Sequence, residues 1–455
     1  MRKRLLIFNE AGTLIRLTGP IVLAQLSQSA MGVVDTVMAG RYNAVDLAAV
    51  AVGTSIFLPL FLFVSGLMAA VTPLVAQGYG RQDHPAIRHA IRQGMKIGFL
   101  TGLLIMPVLW LAEPVMIWME VSEEVIPIAC RYLFAVSWSL PVTGLFFALR
   151  NGGDGLARPH LSMIAGLFCL LVNVGANYVL IYGKLGFPSL GGVGCGWATS
   201  FSMLVMLLVM AGLLVRIRIP AVRGLFRFGA SEKKGESILS FLHLGFPIGI
   251  TLFIECSVFA LITLLVARMG AHVVAGHQIT ANFAGLVYML PLGLATAMTV
   301  RVGYCIGRRR ILRLRRAIFT GLGMALVLSS ASCVLMFLFA PDIVAFYTSD
   351  PKVQSLSVML LGLAALFQIP DALQVNCGGI LRGFKDTRVV LVISIIAYWG
   401  VGLPMGYGLG TGWLSDRFLG PQGFWIGLII ALSASALLMG FRVRMQLRRA
   451  QKGRK

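Results

Sequence analysis

The chain has 455 residues, of which 58% are hydrophobic and only 12% charged, with a mean hydropathy of +0.85. A soluble domain is closer to roughly a quarter charged, so this composition excludes an ordinary soluble protein and points to a polytopic membrane protein. The net charge of +22 does not call for nucleic acid, because the placement of the basic residues along the chain explains it.

The first residues, MRKRLL, are basic, and Glu10 and Arg16 follow before any apolar run. No short apolar core ends in a small-residue cleavage site, so the first apolar segment is expected to be a retained helix and not a signal peptide. A spanning helix needs roughly 20 mostly apolar residues. Such runs occur near 14–38, 46–75, 97–118, 125–148, 160–183 and 192–215, then near 240–267, 272–300, 317–340, 354–380, 389–411 and 421–441. They are long and continuous, unlike the short alternating segments of a membrane barrel. Twelve spans follow, with the boundaries 1–13 (N-terminal segment), 14–215 (first lobe, spans 1–6), 216–239 (basic linker), 240–441 (second lobe, spans 7–12) and 442–455 (basic tail).

The loops alternate in charge. Of the 39 Lys and Arg, all fall on the N-terminal side of the membrane except Arg41, Arg131, Lys184, Arg268, Lys352 and Arg417. Positive residues favour the cytoplasmic side, so both termini are expected in the cytoplasm, with the basic loops also drawn to anionic lipid. The seven cysteines are scattered, with no C-x-x-C, and read as small packing residues.

The two halves repeat. Pro20 and Pro247 stand 227 residues apart, and that offset also pairs Arg41 with Arg268, Thr72 with Thr299, Arg81 with Arg308, Arg88 with Arg315 and Pro114 with Pro341. Further on, LRNGGD (149–154) and LRGFKD (381–386) match at an offset of 232. Six spans per half is an even number, so both halves insert the same way round. The fold expected is all-α: twelve transmembrane helices in two six-helix lobes related by a parallel repeat, around a central cavity. Many glycines and in-span prolines suit close packing and bending.

Of the 17 acids, three fall within spans: Asp35, Glu255 and Asp371. Glu255 lies in TLFIECSVFALITLLVA (251–267), with no other acid or base between His243 and Arg268. No Lys or Arg stands near a span centre to pair with these acids. A desolvated carboxylate without a fixed cation takes a proton or a mobile cation, so intramembrane acids are functional candidates. Glu255 and Asp371 share the second lobe and are together a candidate site for Na⁺ or a shared proton. Asn173 and Asn177, four apart on one face of span 5, are placed to join Asp35 or to bond helix to helix. Gln25, Ser27, Gln278, Asn282 and Gln374 are further polar groups in spans. His277 reads as a packed, hydrogen-bonded histidine.

No P-loop, no H-E-x-x-H, no hydrolase triad and no sizeable soluble domain appear. The chain is therefore expected not to be an enzyme and to carry no cofactor, with Na⁺ or H⁺ as its coupling ion.

MGVVDTVMAGRYNAVDLAAVAVG (31–53), GGVGCGWATS (191–200), LGFPIGITLFIE (244–255), VAGHQITANF (274–283) and GGILRGFKDT (378–387) resemble the multidrug and toxic compound extrusion (MATE) family, in its bacterial NorM-like branch. The resemblance runs from about residue 14 to 441. It implies a monomeric, multi-pass antiporter of the bacterial inner membrane that exports cationic, amphipathic drugs in exchange for Na⁺ or H⁺ as the two lobes rock. It places the cation-coupling acids at Asp35, Glu255 and Asp371; the residues themselves, not the resemblance, add Asn173, Asn177, Gln278 and Asn282 as candidate cation or drug contacts. Some members carry Tyr four residues before the acid of span 10, where this chain has Phe367; that removes a possible oxygen ligand for Na⁺.

Two other readings share the composition. A flippase for lipid-linked sugars would favour fixed basic residues inside the spans, and none stands near the centre of an apolar run. A non-transporting subunit of a larger complex would favour mid-span Lys and would not need two matched lobes.

Overall fold

The computed structural model describes residues 2–217, 219–226, 237–414 and 419–452, with the side chains of 2–7 left out of the description. Every regular element in it is helical. Twelve helices or helix pairs are long and apolar enough to cross a membrane, and each falls on one of the twelve expected runs.

The first half contains α1 (Arg2–Tyr42), α2 (Ala44–Met68), α3 (Val71–Arg81), α4 (His84–Trp110) and α5 (Glu113–Trp118). It continues with α6 (Ile126–Ser137), α7 (Ser139–Gly155), α8 (His160–Tyr182) and α9 (Gly192–Arg216). The second half contains α10 (Ile238–Ala267), α11 (Ala271–Gly307), α12 (Ile311–Leu338), α13 (Ala340–Tyr347) and α14 (Pro351–Gly383). It ends with α15 (Thr387–Ser394), a π-helical stretch over Ile395–Gly402, α16 (Leu403–Thr411) and α17 (Pro421–Lys452).

Local chemistry sets these boundaries. Asn43, Asp83 and Asp350 cap α2, α4 and α14 with their side chains, supplying acceptors to otherwise unpaired N–H groups. The third expected run, 97–118, extends past the end of its helix. Its helix ends at Trp110, and Pro114 sits in the first turn of the separate α5, a position where proline's missing N–H costs nothing. The repeat partner Pro341 opens α13 in the same way after α12.

The duplication is physical. Gln82 and Arg309, 227 apart, both adopt the left-handed backbone after matching helices. Thr72 bonds Asn151, with Oγ1 at 3.2 Å from Oδ1, while Thr299 donates to the Gly379 carbonyl at 2.8 Å. Those two pairs fix the register between the fourth helices at 228, and the helix ends Gly155 and Gly383 agree. The sequence match at 232 is thus one helical turn out of the structural register.

The chain forms two compact units: Pro20–Gly249, and the residues up to Gly19 together with those from Ile250 onward. The division falls inside α1 and α10, next to Pro20 and close to Pro247, and not in the basic linker at 216–239. In the first unit α4 and α7 meet through glycine: a Cβ built on Gly144 would lie 2.2 Å from the Gly98 carbonyl oxygen. In the second, Gly427 and Gly423 on α17 approach α16 at Gly406 and Gly410 in the same manner. Small residues at such crossings let backbones touch where hydrocarbon offers no hydrophobic drive. The outward faces carry large apolar side chains such as Leu104, Leu171 and Leu437, each more than 70% exposed, as a lipid-facing surface requires.

Candidate functional site

Asp35 sits on α1, 8% exposed, in the unit Pro20–Gly249. Asn173 and Asn177 of α8, both fully buried, turn their amides onto it, with Nδ2 atoms 3.3 and 2.6 Å from Oδ1. Thr199 of α9 donates to Oδ2 at 2.9 Å, and Cys195, one turn earlier, reaches the Asp35 carbonyl. The structure therefore brings three of the expected residues together and adds Thr199. The sequence carries no charge signal for it; only its position four residues after Cys195, on the same helical face, is visible there.

Glu255 and Asp371 belong to the other unit. Glu255 on α10 is half-buried and accepts one hydrogen bond, from Gln374 Nε2 at 3.3 Å. Asp371 on α14 is 5% exposed and has no side-chain hydrogen bond among the described residues. The two carboxylates repel each other, and the same electrostatic neighbourhood contains Tyr288 of α11 and Tyr398 of the π-helical stretch. A π turn widens the helix and is frequent at functional positions; here it presents the buried Tyr398.

The three acids thus differ in their surroundings. Asp35 receives three donors, Glu255 one, and Asp371 none. Hydrogen bonds stabilise a carboxylate's charge, whereas burial without donors leaves that charge dependent on a cation or a proton. Glu255 and Asp371 are consequently the pair with the least compensation from fixed donors among the described residues.

The remaining sequence candidates lie elsewhere. Gln278 is exposed, and Asn282 accepts from the Tyr347 hydroxyl at 3.2 Å; neither joins the carboxylate pair. His277 is buried against the Trp425 ring and bonds Thr263, a packing role. Phe367 lies in an aromatic cluster with Phe259 and Trp425. All seven cysteines are free.

No arginine was expected near a span centre, and Arg150, Arg301 and Arg382 lie in the last two turns of α7, α11 and α14, where the helices run past the apolar stretches. Arg150 stands 3.9 Å from Asp154 and donates to Gln28. Arg301 makes a bidentate pair with Glu10, at 2.6 and 2.9 Å. Among the described residues Arg382 has no such partner, and its buried Nε makes no hydrogen bond.

The comparisons with known proteins agree with this architecture. The MatE family model matches residues 20–179 and again 247–408, two copies that start at the repeat-related prolines. Multidrug resistance protein MdtK of Yersinia pestis (strain Pestoides F) is 44% identical over 443 residues, covering 96% of this chain and 95% of its own. MdtK of Yersinia enterocolitica serotype O:8 / biotype 1B is 42% identical over 440 residues, with the same coverage. An outward-facing multidrug resistance MATE family transporter of the MOP superfamily superposes with a TM-score of 0.87 at 20% identity, over 97% of both chains. The eukaryotic MATE transporter AtDTX14 gives 0.85 at 18% identity, over 98% of this chain and 99% of its own; at such identities the likeness concerns the fold. With both halves matched by the family model and relatives above 40% identity along nearly its whole length, this chain belongs to the MatE family of membrane transporters.

Proposed function

We propose that the protein is a multidrug efflux antiporter of the bacterial inner membrane, exporting cationic, amphipathic drugs in exchange for Na⁺ or H⁺. The observation that carries this reading is the pair Glu255 and Asp371, a half-buried and a buried carboxylate that together receive a single side-chain hydrogen bond among the described residues, from Gln374 to Glu255. The name of the MdtK relatives, multidrug resistance protein, supports the drug side of it.

The chemistry follows from charge. With no cation bound, two carboxylates in a poorly solvated site repel each other and hold an unfavourable negative field. A Na⁺ or a proton relieves that field; a cationic drug relieves it as well. The two ligands therefore compete, and each favours the facing state in which it binds better. Coupling is this difference in affinity between two states of rocking lobes. Asp35, with Asn173, Asn177 and Thr199, is a second polar site in the other half and serves the same cycle. Both termini are placed in the cytoplasm by the basic loops, and the chain works as a monomer.

The flippase reading is weaker, because no Lys or Arg stands near a span centre and Arg150 and Arg301, toward the helix ends, are engaged by acids of the protein itself. The purified chain in liposomes tests the proposal. Ethidium, a cationic aromatic dye, is expected to leave the vesicles under an imposed Na⁺ gradient or an imposed pH gradient. Movement under neither gradient would overturn it, and transport by the chain alone would exclude a dependent subunit.

A further inference from the structure

Arg150 is buried in the last two turns of α7, and the coupling scheme makes no use of it. Its Nη1 donates to Gln28 Oε1 of α1 at 2.6 Å, the short distance of a charge-assisted hydrogen bond. The surroundings hold the guanidinium in that pose. Asp154, one turn further along α7 and also buried, stands 3.9 Å from Nε, and Ser162 of α8 donates to its other carboxylate oxygen at 3.1 Å. The Phe147 ring faces the guanidinium from the turn before, 5.7 Å away.

Helical register carries that anchor to Asp35. Gln28 precedes Asp35 by seven residues, close to two full turns, so both lie on one face of α1. Between Pro20 and Asp35, the side-chain ties from α1 to other helices among the described residues are those of Gln28: the bond from Arg150, and a long contact of its Nε2 with the Met206 sulfur at 3.9 Å. Ser27 bonds back to Leu23 of its own helix. The repeat marks the same position. Gln28 stands 227 residues before Glu255, the offset of the paired prolines. The second half carries its acid there. The first half carries a neutral amide bound to a resident guanidinium, and its acid stands two turns on, at Asp35, whose repeat partner is Ile262.

We propose that Arg150 is a positioning residue of the first-half site: by holding Gln28 it fixes the rotation and height of α1 at which Asp35 meets Asn173, Asn177 and Thr199. This rests on the reading of Asp35 as part of the transport cycle. The three donors reach Asp35 at 3.3, 2.6 and 2.9 Å, and a displacement of about 1 Å takes such bonds beyond hydrogen-bond distance. A slip of α1 by one residue is a rise of about 1.5 Å and a turn of about 100°, which would empty the cage. Letting Gln28 go leaves a buried cation one acceptor short, so the tie resists that slip. Arg150 acts through α1 and not on the coupling cation.

The test is gradient-driven ethidium efflux from proteoliposomes of the full-length protein, over a series of dye concentrations. The variants are Arg150→Met, Gln28→Leu, the two combined, and Gln28→Glu. Arg150→Met and Gln28→Leu are each expected to lower the maximal rate by about tenfold, the scale of one hydrogen bond to a charged group, with KM for the dye unchanged. The combined variant should be no slower than the slower single one, because both changes break the same bond. Gln28→Glu keeps an acceptor for the guanidinium and is expected to keep the parental rate. Parental rates in Arg150→Met and Gln28→Leu, losses that multiply in the combined variant, a raised KM at an unchanged maximal rate, or a Gln28→Glu protein as slow as Gln28→Leu would each overturn the proposal. Where Arg150→Met is not monodisperse, the contrast between Gln28→Leu and Gln28→Glu decides it. Asp35→Asn separates the two readings: parental efflux in that variant removes Asp35 from the cycle and this proposal with it, whereas lost efflux there beside multiplying losses at Arg150 and Gln28 keeps Asp35 and rejects Arg150 as its positioning residue.

Discussion

Thr199 and Asn177 both donate to Asp35, but they are not equivalent. Thr199 supplies one bond to Oδ2, whereas Asn177, fully buried, spans Asp35 Oδ1 and Asn173 Oδ1 at 2.6 and 3.1 Å. Thr199→Val keeps the volume and removes one donor, so it should cost about 1 kcal/mol. Asn177→Ala strips two bonds and leaves a void, and should cost roughly 3 kcal/mol. Thermal unfolding of the detergent-purified variants checks the order; a Thr199→Val protein less stable than Asn177→Ala would contradict it. At this scale the sequence revealed the acids clearly, because Asp35, Glu255 and Asp371 interrupt apolar runs. It did not reveal Thr199, because a threonine inside a span carries no charge to mark it. Nor did it reveal Arg382, because the apolar run ends near 380 while the helix continues to Gly383.

Helix crossings make the sharpest demands among the elements. At Gly144 any side chain would meet the backbone of Gly98, and neither helix backbone can yield locally. Gly144→Val should therefore abolish a monodisperse gel-filtration peak. Gly212→Ala, on the same unit but with nothing within 4 Å of its Cβ position, should leave the peak unchanged, since alanine is the better helix former. Equal behaviour of the two variants would refute the close-approach argument. Element existence was legible throughout, because hydropathy reports apolar length directly. Element ends were less so. Leu111 and Ala112 continue the apolar composition of α4, and only the proline at 114 hints that the chain turns into a new helix there.

Across the whole molecule, the offset of 227 announced two matched halves, and the paired left-handed residues Gln82 and Arg309 bear it out. The internal boundaries of the compact units were hidden, since hydropathy does not record which neighbours a helix segment packs against. The opening segment of α1 is grouped with the second-half helices, and Glu10–Arg301 is a tie within that unit, with both side chains at most 15% exposed. Glu10→Ala leaves Arg301 uncompensated and should cost about 3–5 kcal/mol of stability. Adding Arg301→Met to Glu10→Ala should recover part of that loss. Additive losses in the double variant, read by thermal unfolding, would show that the pair is not coupled.

The account as a whole stands on Glu255 as the place where a cation and a drug compete. Ethidium efflux from proteoliposomes, compared between the parent and Glu255→Gln under a Na⁺ gradient and under a pH gradient, tests that most directly. The account predicts that gradient-driven efflux present in the parent is lost in Glu255→Gln. Efflux in the variant equal to the parent's under both gradients would contradict it and make Glu255 a structural residue.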